Sequence, residues 1–162
     1  MLSMIAAITN NRVLAKEGKL PWGKLPVDKE YYLDKIKGHT IIMGSTTYLS
    51  ADHSREGNRV IVLSRKDLDV PDDVTVIHSP EEALEIEPLP NEKEMFITGG
   101  GSVYAAMLPF VDKIYLTRVD MESDGEVVFP ELGEEWKLID SKRVEADEEN
   151  KYACTFEVYS KS

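Results

Sequence analysis

Positive charge is short in this chain of 162 residues: 19 Lys and Arg stand against 30 Asp and Glu, a net charge of −11. Nucleic-acid affinity rests on Lys and Arg neutralising phosphates, so this balance argues against a nucleic-acid partner and against an anionic membrane surface. Cysteine is scarcer still, with a single residue. Cys154 alone cannot close an internal disulfide, nothing implies an oxidising compartment, and the residue is expected to pack as a small apolar group. No apolar run approaches the roughly 20 residues that span a bilayer. Met1 to Ile8 is apolar, but no Lys or Arg precedes it and polar Thr9-Asn10-Asn11-Arg12 follows at once, which does not fit a signal peptide. A cytoplasmic location is therefore expected. His39, His53 and His78 lack metal-ligand spacing, and HExxH, CxxC and GxSxG do not occur. No metal is expected, and zinc hydrolysis and serine acyl transfer lack their parts.

What is present suits one folded domain over residues 1–162, with 42% apolar and 30% charged residues and no internal repeat. A chain of this size buries on the order of 70% of its unfolded surface and needs no disulfide or metal staple. Short β-branched runs recur at Met4 to Ile8, Thr40 to Met43, Arg59 to Leu63, Val74 to Ile77, Met95 to Thr98 and Lys113 to Val119. Continuous apolar runs of this kind are buried on both faces, as in a largely parallel sheet. Helical patterns lie between them: Pro26 to Ile36, a Ser-capped start at Ser79-Pro80, and Ser102 to Leu108. Trp136 to Ile139 and the alternating Tyr152 to Val158, joined across acidic Glu145 to Asn150, read as an antiparallel hairpin. The expected fold is α/β, a mixed, mostly parallel sheet with helices on both faces and ligands at strand ends.

Four stretches could carry chemistry. Phe96-Ile97-Thr98-Gly99-Gly100-Gly101-Ser102-Val103-Tyr104 is a strand, a glycine triplet and a helix start, which is read either as a phosphate cradle or as a tight turn. Leu20-Pro21-Trp22-Gly23-Lys24-Leu25-Pro26-Val27-Asp28 places an aromatic in a proline-bounded loop, just before a carboxylate in a helix's first turn. Asp28 could simply complement the helix dipole. With Tyr31 and Tyr32 at i+3 and i+4, it could equally bind a flat, nitrogen-rich cationic ring, or the tyrosines could pack helix to sheet. Gly44-Ser45-Thr46-Thr47-Tyr48 and Leu63-Ser64-Arg65 follow buried strands and could meet phosphates.

In order along essentially the whole chain, these stretches resemble dihydrofolate reductase. The matching segments are Met4-Ile5-Ala6-Ala7, Asn11-Arg12-Val13-Leu14, Leu20-Pro21-Trp22, Leu25-Pro26-x-Asp28, Ile42-Met43-Gly44-x-x-Thr47, Val62-Leu63-Ser64-Arg65, Gly99-Gly100-Gly101-x-Val103-Tyr104, Ile114-Tyr115-Leu116-Thr117 and Phe129-Pro130. The resemblance implies hydride transfer from NADPH to dihydrofolate by a chain expected to be monomeric. It implies that Asp28 holds the pterin, that Thr117 supports Asp28, and that Trp22 and the loop from about Asn10 to Lys24 cover the nicotinamide. Ile5, Ala6, Ala7, Leu20, Tyr32, Asn58, Arg59, Thr98 and Tyr104 fall at positions facing substrate. Ala7, Val13, Leu14, Gly44, Ser45, Thr46, Thr47, Leu63, Ser64, Arg65, His78, Gly99, Gly100, Gly101, Ser102, Val103 and Tyr104 fall at positions facing cofactor. It also implies a cis bond between Gly99 and Gly100.

The chain departs from the family pattern in places. Ser45 stands where a basic residue is usual, Ala15 replaces a loop glycine, Thr98 replaces Ile or Val, and Glu126 replaces Asp in a loop supporting the lid. Asn58 takes the place of an Arg that grips the folate glutamate, and Asn cannot make a bidentate ion pair. A reductase of a related pteridine or aminopyrimidine, and a silent folate- or nucleotide-binding module, are the alternatives on this fold. Arg59, one residue on in a strand, points to the opposite face and cannot simply inherit the missing direction.

Overall fold

The structure, a computed structural model, describes residues 1–50 and 57–161, so His53 lies outside the described residues. The chain divides into two compact units, Met1–Met4 with Leu33–Val111, and Ile5–Tyr32 with Asp112–Ser162. One eight-stranded sheet has the order β5 (Val74–Ile77), β4 (Arg59–Leu63), β3 (Thr40–Gly44), β6 (Met95–Gly99), β1 (Leu2–Thr9), β7 (Lys113–Val119), β10 (Cys154–Lys161), β9 (Trp136–Val144).

The first unit is built on parallel pairs: β3 (Thr40–Gly44) with β4 (Arg59–Leu63) and β6 (Met95–Gly99), and β4 with β5 (Val74–Ile77). All five residues of β3 are buried, as are Val60, Ile61 and Val62, which is why these strands read as unbroken apolar runs. Parallel strands end on the same side. The segments after β5, β4, β3 and β6 therefore emerge together, and they are His78, Ser64-Arg65, Gly44 to Thr47 and Gly99 to Tyr104. The start of β1 (Leu2–Thr9) pairs parallel with β6, Leu2 opposite Met95.

In the second unit β10 (Cys154–Lys161) lies antiparallel between β7 (Lys113–Val119) and β9 (Trp136–Val144). The expected hairpin is present, with its first strand longer than Trp136 to Ile139. Beyond Trp136, β9 is exposed as far as Arg143 and carries Lys137, Asp140, Lys142 and Arg143, charges that discourage pairing of a free sheet edge. A small sheet of β2 (Val13–Ala15) with β8 (Val127–Val128) has no strong signal in the sequence, because strands of three and two residues show no periodicity.

Helix α1 spans Pro26–Ile36, with Pro first, Asp28 in the first turn and Lys35 in the last, as propensity and dipole favour. It stops at Gly38, whose φ of +77° a β-carbon would disfavour. Helix α2 (Ser45–Leu49) is a single short turn that the sequence does not announce, and α3 is Gly101–Met107. The expected Ser79 cap takes another form. Residues Pro80–Glu85 form a 3-10 helix without a side-chain cap, because the Glu82 carboxylate reaches back to accept the His78 N–H at 3.3 Å and the Ser79 hydroxyl at 3.4 Å.

Candidate active site

In the second unit, Asp28 stands in the first turn of α1 beside a cluster of Trp22, Leu25, Val119, Cys154 and Phe156, with Val27 and Tyr31 packed against it. Burial raises the Asp28 carboxyl from 3.8 to about 6, and a hydrogen bond from the Thr117 hydroxyl, on β7 and 2% exposed, partly offsets the rise. Desolvation penalises the charged form, while a donated hydrogen bond favours it. The Asp28 charge is felt by Tyr31, which burial above all pushes up to about 12, and by Cys154, which burial above all pushes up to about 11. A carboxyl near 6 can be charged or neutral at small cost around neutral pH.

Tyr31 stacks on Phe156 at 4.2 Å between ring centroids, so the packing alternative describes it; Tyr32 is half-buried on the same helix. Trp22, 5% exposed, anchors its loop in the apolar cluster, and Leu20 is 54% exposed. Ile5 and Ala6 are buried on β1 and Ala7 is partly so. Val13 is buried in β2 and Leu14 half-buried. The loop after β2 is tied to the segment before β8: Lys16 pairs with Asp124 at 2.7 Å, and the Gly18 N–H donates to Glu126 at 3.4 Å. A β-carbon at Gly125 would come within 2.5 Å of the Ala15 carbonyl oxygen, so only glycine permits this approach.

In the first unit, the turns after β3 and β6 adjoin. A β-carbon at Gly44 would meet Val103 at 2.9 Å and the Gly99 carbonyl oxygen at 3.8 Å, and one at Gly100 would stand 3.5 Å from Thr47 Oγ1. The Gly99–Gly100 bond is cis, as the resemblance implied. Tyr104, 5% exposed, donates its phenol to the Thr98 carbonyl at 2.9 Å, and the Thr98 hydroxyl donates to the Ile42 carbonyl at 3.5 Å. After β4, the nearly buried Ser64 accepts the Lys66 N–H at 3.2 Å on its hydroxyl, and its carbonyl accepts His78 Nδ1–H at 2.9 Å. Arg65 is exposed and has no acidic partner among the described residues, whereas His78 Nε2 lies 3.4 Å from Asp67. Ser45 is half-buried and Thr46 exposed, and Ser102 and Val103 lie in the first turn of α3. Hydroxyls, turn amides and one uncommitted guanidinium form a donor-rich set that fits a pyrophosphate-bearing dinucleotide.

Asn58 and Arg59 have other uses. Asn58 Nδ2 donates to the carbonyls of Ile36 at 2.6 Å and His39 at 2.9 Å, closing the end of α1. Arg59 donates to Thr40 Oγ1 at 2.8 Å and the Glu87 carbonyl at 2.9 Å, and its guanidinium lies 3.7 Å from Glu92, a carboxylate only 4% exposed.

One residue near the site escapes sequence reasoning. Asn150, 7% exposed, accepts the Val27 N–H at 2.9 Å from 123 residues away. The one signal is indirect: Leu25, just before α1, has no side-chain oxygen with which to cap the helix.

The chain is similar to known proteins over its full length. The family model for dihydrofolate reductase matches residues 1–161. Dihydrofolate reductase of Bacillus subtilis is 35% identical, covering 99% of this chain and 95% of that protein; the enzyme of Haemophilus influenzae is 36% identical, covering 95% and 94%. The structure of Enterococcus faecalis dihydrofolate reductase, complexed with NADP(H) and RAB-propyl, superposes with a TM-score of 0.85 at 29% identity, over 100% of this chain and 96% of that one. With the parallel strand ends, the paired glycine turns and the Asp28–Thr117 couple already in place, these matches establish that the chain belongs to the dihydrofolate reductase family.

Proposed function

We propose that this chain reduces 7,8-dihydrofolate to 5,6,7,8-tetrahydrofolate with NADPH, and that Asp28 is the group that readies the pterin. The observation that carries the assignment of Asp28 is its carboxyl, raised to about 6 by burial and braced by Thr117 in a largely apolar surround. Such a carboxylate holds the pterin through its amino group and ring N–H and favours the protonated ring. A protonated C=N bond accepts hydride more readily than a neutral one, so the fixed negative charge stabilises developing positive charge. NADPH, when bound, supplies the hydride.

The turns after the parallel strands are the residues that would hold NADPH: Gly44, Ser45, Thr46 and Thr47; Leu63, Ser64, Arg65 and His78; and Gly99 to Tyr104. Backbone amides and hydroxyls suit the pyrophosphate, and Arg65 suits the adenosine 2′-phosphate. By the resemblance, Ala7, Val13 and Leu14 would serve the cofactor, and Ile5, Ala6, Ala7, Leu20, Tyr32, Thr98 and Tyr104 the substrate. Trp22, anchored by its packing, holds the covering loop that excludes water from the reaction. Asn58 and Arg59, engaged elsewhere, leave the folate glutamate with a weak grip.

The match over residues 1–161 supports a single functional domain. No helix among the described residues is long and apolar enough to cross a membrane. A cytoplasmic monomer completes the reading. The test is absorbance-monitored oxidation of NADPH with dihydrofolate, run beside NADH and a tail-less dihydropterin. Dihydrofolate-dependent oxidation with NADPH preferred is the expected result; turnover of the dihydropterin alone would assign the chain to a related heterocycle instead.

A further inference from the structure

The start of α1 is capped from a distance. Pro26 has no N–H to satisfy, the N–H groups of Asp28 and Lys29 both turn back to the Leu25 carbonyl at 3.0 and 3.1 Å, and that leaves the N–H of Val27. Leu25 offers no side-chain acceptor. The acceptor is Asn150 Oδ1, at 2.9 Å, from the turn between β9 and β10. This amide is itself fixed. Its Nδ2 donates to Asp147 Oδ1 at 3.0 Å, the same oxygen accepts the N–H groups of Asn150 at 2.8 Å and Glu149 at 2.9 Å, and the Asp147 N–H donates to the Asn150 carbonyl at 2.9 Å.

Few groups could substitute. Val27 is packed against the Trp22, Leu25, Val119, Cys154 and Phe156 cluster, so water reaches its N–H poorly, and a partly buried donor without an acceptor is costly. The next residue is Asp28. The Val27 N–H belongs to the peptide unit that joins Pro26 to Val27, one unit before the Asp28 α-carbon, so fixing it orients the first turn from which the Asp28 side chain projects.

We propose that Asn150 is a positioning residue for Asp28, with Asp147 as the brace that holds Asn150. The proposal rests on the role given to Asp28 above. Asn150 does not touch substrate; it acts through the first turn of α1, keeping the carboxylate against the Thr117 hydroxyl. Thr117 on β7, Tyr31 on α1 and Cys154 on β10 share the environment of Asp28. Displacing a reacting group by a fraction of an ångström lowers rates steeply, because catalysis depends on alignment.

The experiment compares single-turnover hydride transfer from pH 5 to 9 in the parent, Asn150→Ala, Asp147→Ala and Asp28→Asn, with NADPH affinity measured by fluorescence. Asn150→Ala is expected to slow hydride transfer at neutral pH by about 5- to 20-fold, to displace the pH midpoint of the rate, and to leave NADPH affinity within about twofold. Asp147 is an exposed turn residue whose loss leaves the core intact, so Asp147→Ala serves if Asn150→Ala folds poorly; it is expected to act in the same direction with smaller size. Their double variant should be no slower than Asn150→Ala alone, because the two act as a unit. A loss of thermal stability with unchanged rate and pH midpoint in both single variants would make the contact merely structural and overturn the proposal. If Asp28→Asn itself keeps the parental rate and profile, the role of Asp28 falls first and the positioning role falls with it.

Discussion

Thr117, on a strand of the antiparallel half of the sheet and buried, donates its hydroxyl to Asp28, at the start of a helix 89 positions earlier in the chain and half-buried beside an apolar cluster. The pair sets two opposing demands on one carboxyl. Burial favours the neutral acid, the hydroxyl favours the anion, and the balance falls near 6.

Removing that charge should cost activity. Asp28→Asn is expected to lower hydride transfer at pH 7 by roughly 10²-fold, equivalent to about 3 kcal/mol of lost electrostatic stabilisation, and to recover in part on acidification as solvent protonates the pterin. Stopped-flow measurement of NADPH oxidation across pH checks both parts. Parental speed at pH 7 would remove Asp28 from the mechanism.

The same substitution should raise stability. A carboxyl whose folded pKa lies above its unfolded value binds protons more tightly when folded, so its favourable contribution is complete below about 4 and is lost as pH rises through about 6. A rise from 3.8 to about 6 corresponds to about 3 kcal/mol at neutral pH. Asp28→Asn should therefore stabilise the ligand-free protein by about 1–3 kcal/mol at pH 7.5, after allowance for the altered Thr117 bond. The gain should shrink as pH falls toward 4. Urea unfolding at the two pH values measures it.

Cofactor choice should depend on Arg65, an exposed cation with no acidic partner among the described residues. Arg65→Ala is expected to weaken NADPH by about tenfold and NADH by less than about twofold, since a phosphate-reading guanidinium contributes to one alone. Titrations of intrinsic fluorescence with each nucleotide separate the cases. Equal weakening of both would show that Arg65 does not read the 2′-phosphate.

Arg59 and Asn58 should matter more for stability than for substrate. Arg59→Ala leaves the Glu92 carboxylate without its nearest cation, and Asn58→Ala leaves the Ile36 and His39 carbonyls without their donor. Each should destabilise by about 1–3 kcal/mol. Arg59→Ala should leave the KM for dihydrofolate within about twofold, whereas a tenfold rise would make Arg59 a substrate clamp after all.

Cys154 should be inert while the chain is folded. Burial above all, and the Asp28 charge next, push its thiol up to about 11, so at pH 8 only about one molecule in a thousand carries the reactive thiolate. Absorbance-monitored labelling should run at least 100-fold slower in native protein than in urea.

Much of this architecture is legible in the sequence because the information is local. The runs at Arg59–Leu63, Val74–Ile77 and Lys113–Val119 are rich in β-branched and apolar residues, and the structure places strands on those same residues. Pro26, Asp28 and Gly38 bracket α1 through backbone preferences that operate in any surroundings. The strands β2 and β8 and the short helix α2 left no such trace, being too brief for a period to emerge. Asp28, too, could be named as a candidate from its place between aromatics.

What the local pattern could not decide is how each side chain would be used. Adjacent Asn58 and Arg59 are both donors by type, and only packing turned one to the carbonyls at the end of α1 and the other to Thr40, Glu87 and Glu92. That Trp22 packs into the apolar cluster and Tyr31 against it is likewise decided in space. The acid strength of Asp28 depends on burial and on Thr117, neither of which is near it in the chain. The cap on its helix comes from Asn150, far along the sequence. Covalent neighbours determine which backbone shapes are cheap, and that much the 162 letters contain; desolvation and hydrogen-bond pairing depend on distance in space, which exists only once the chain has folded.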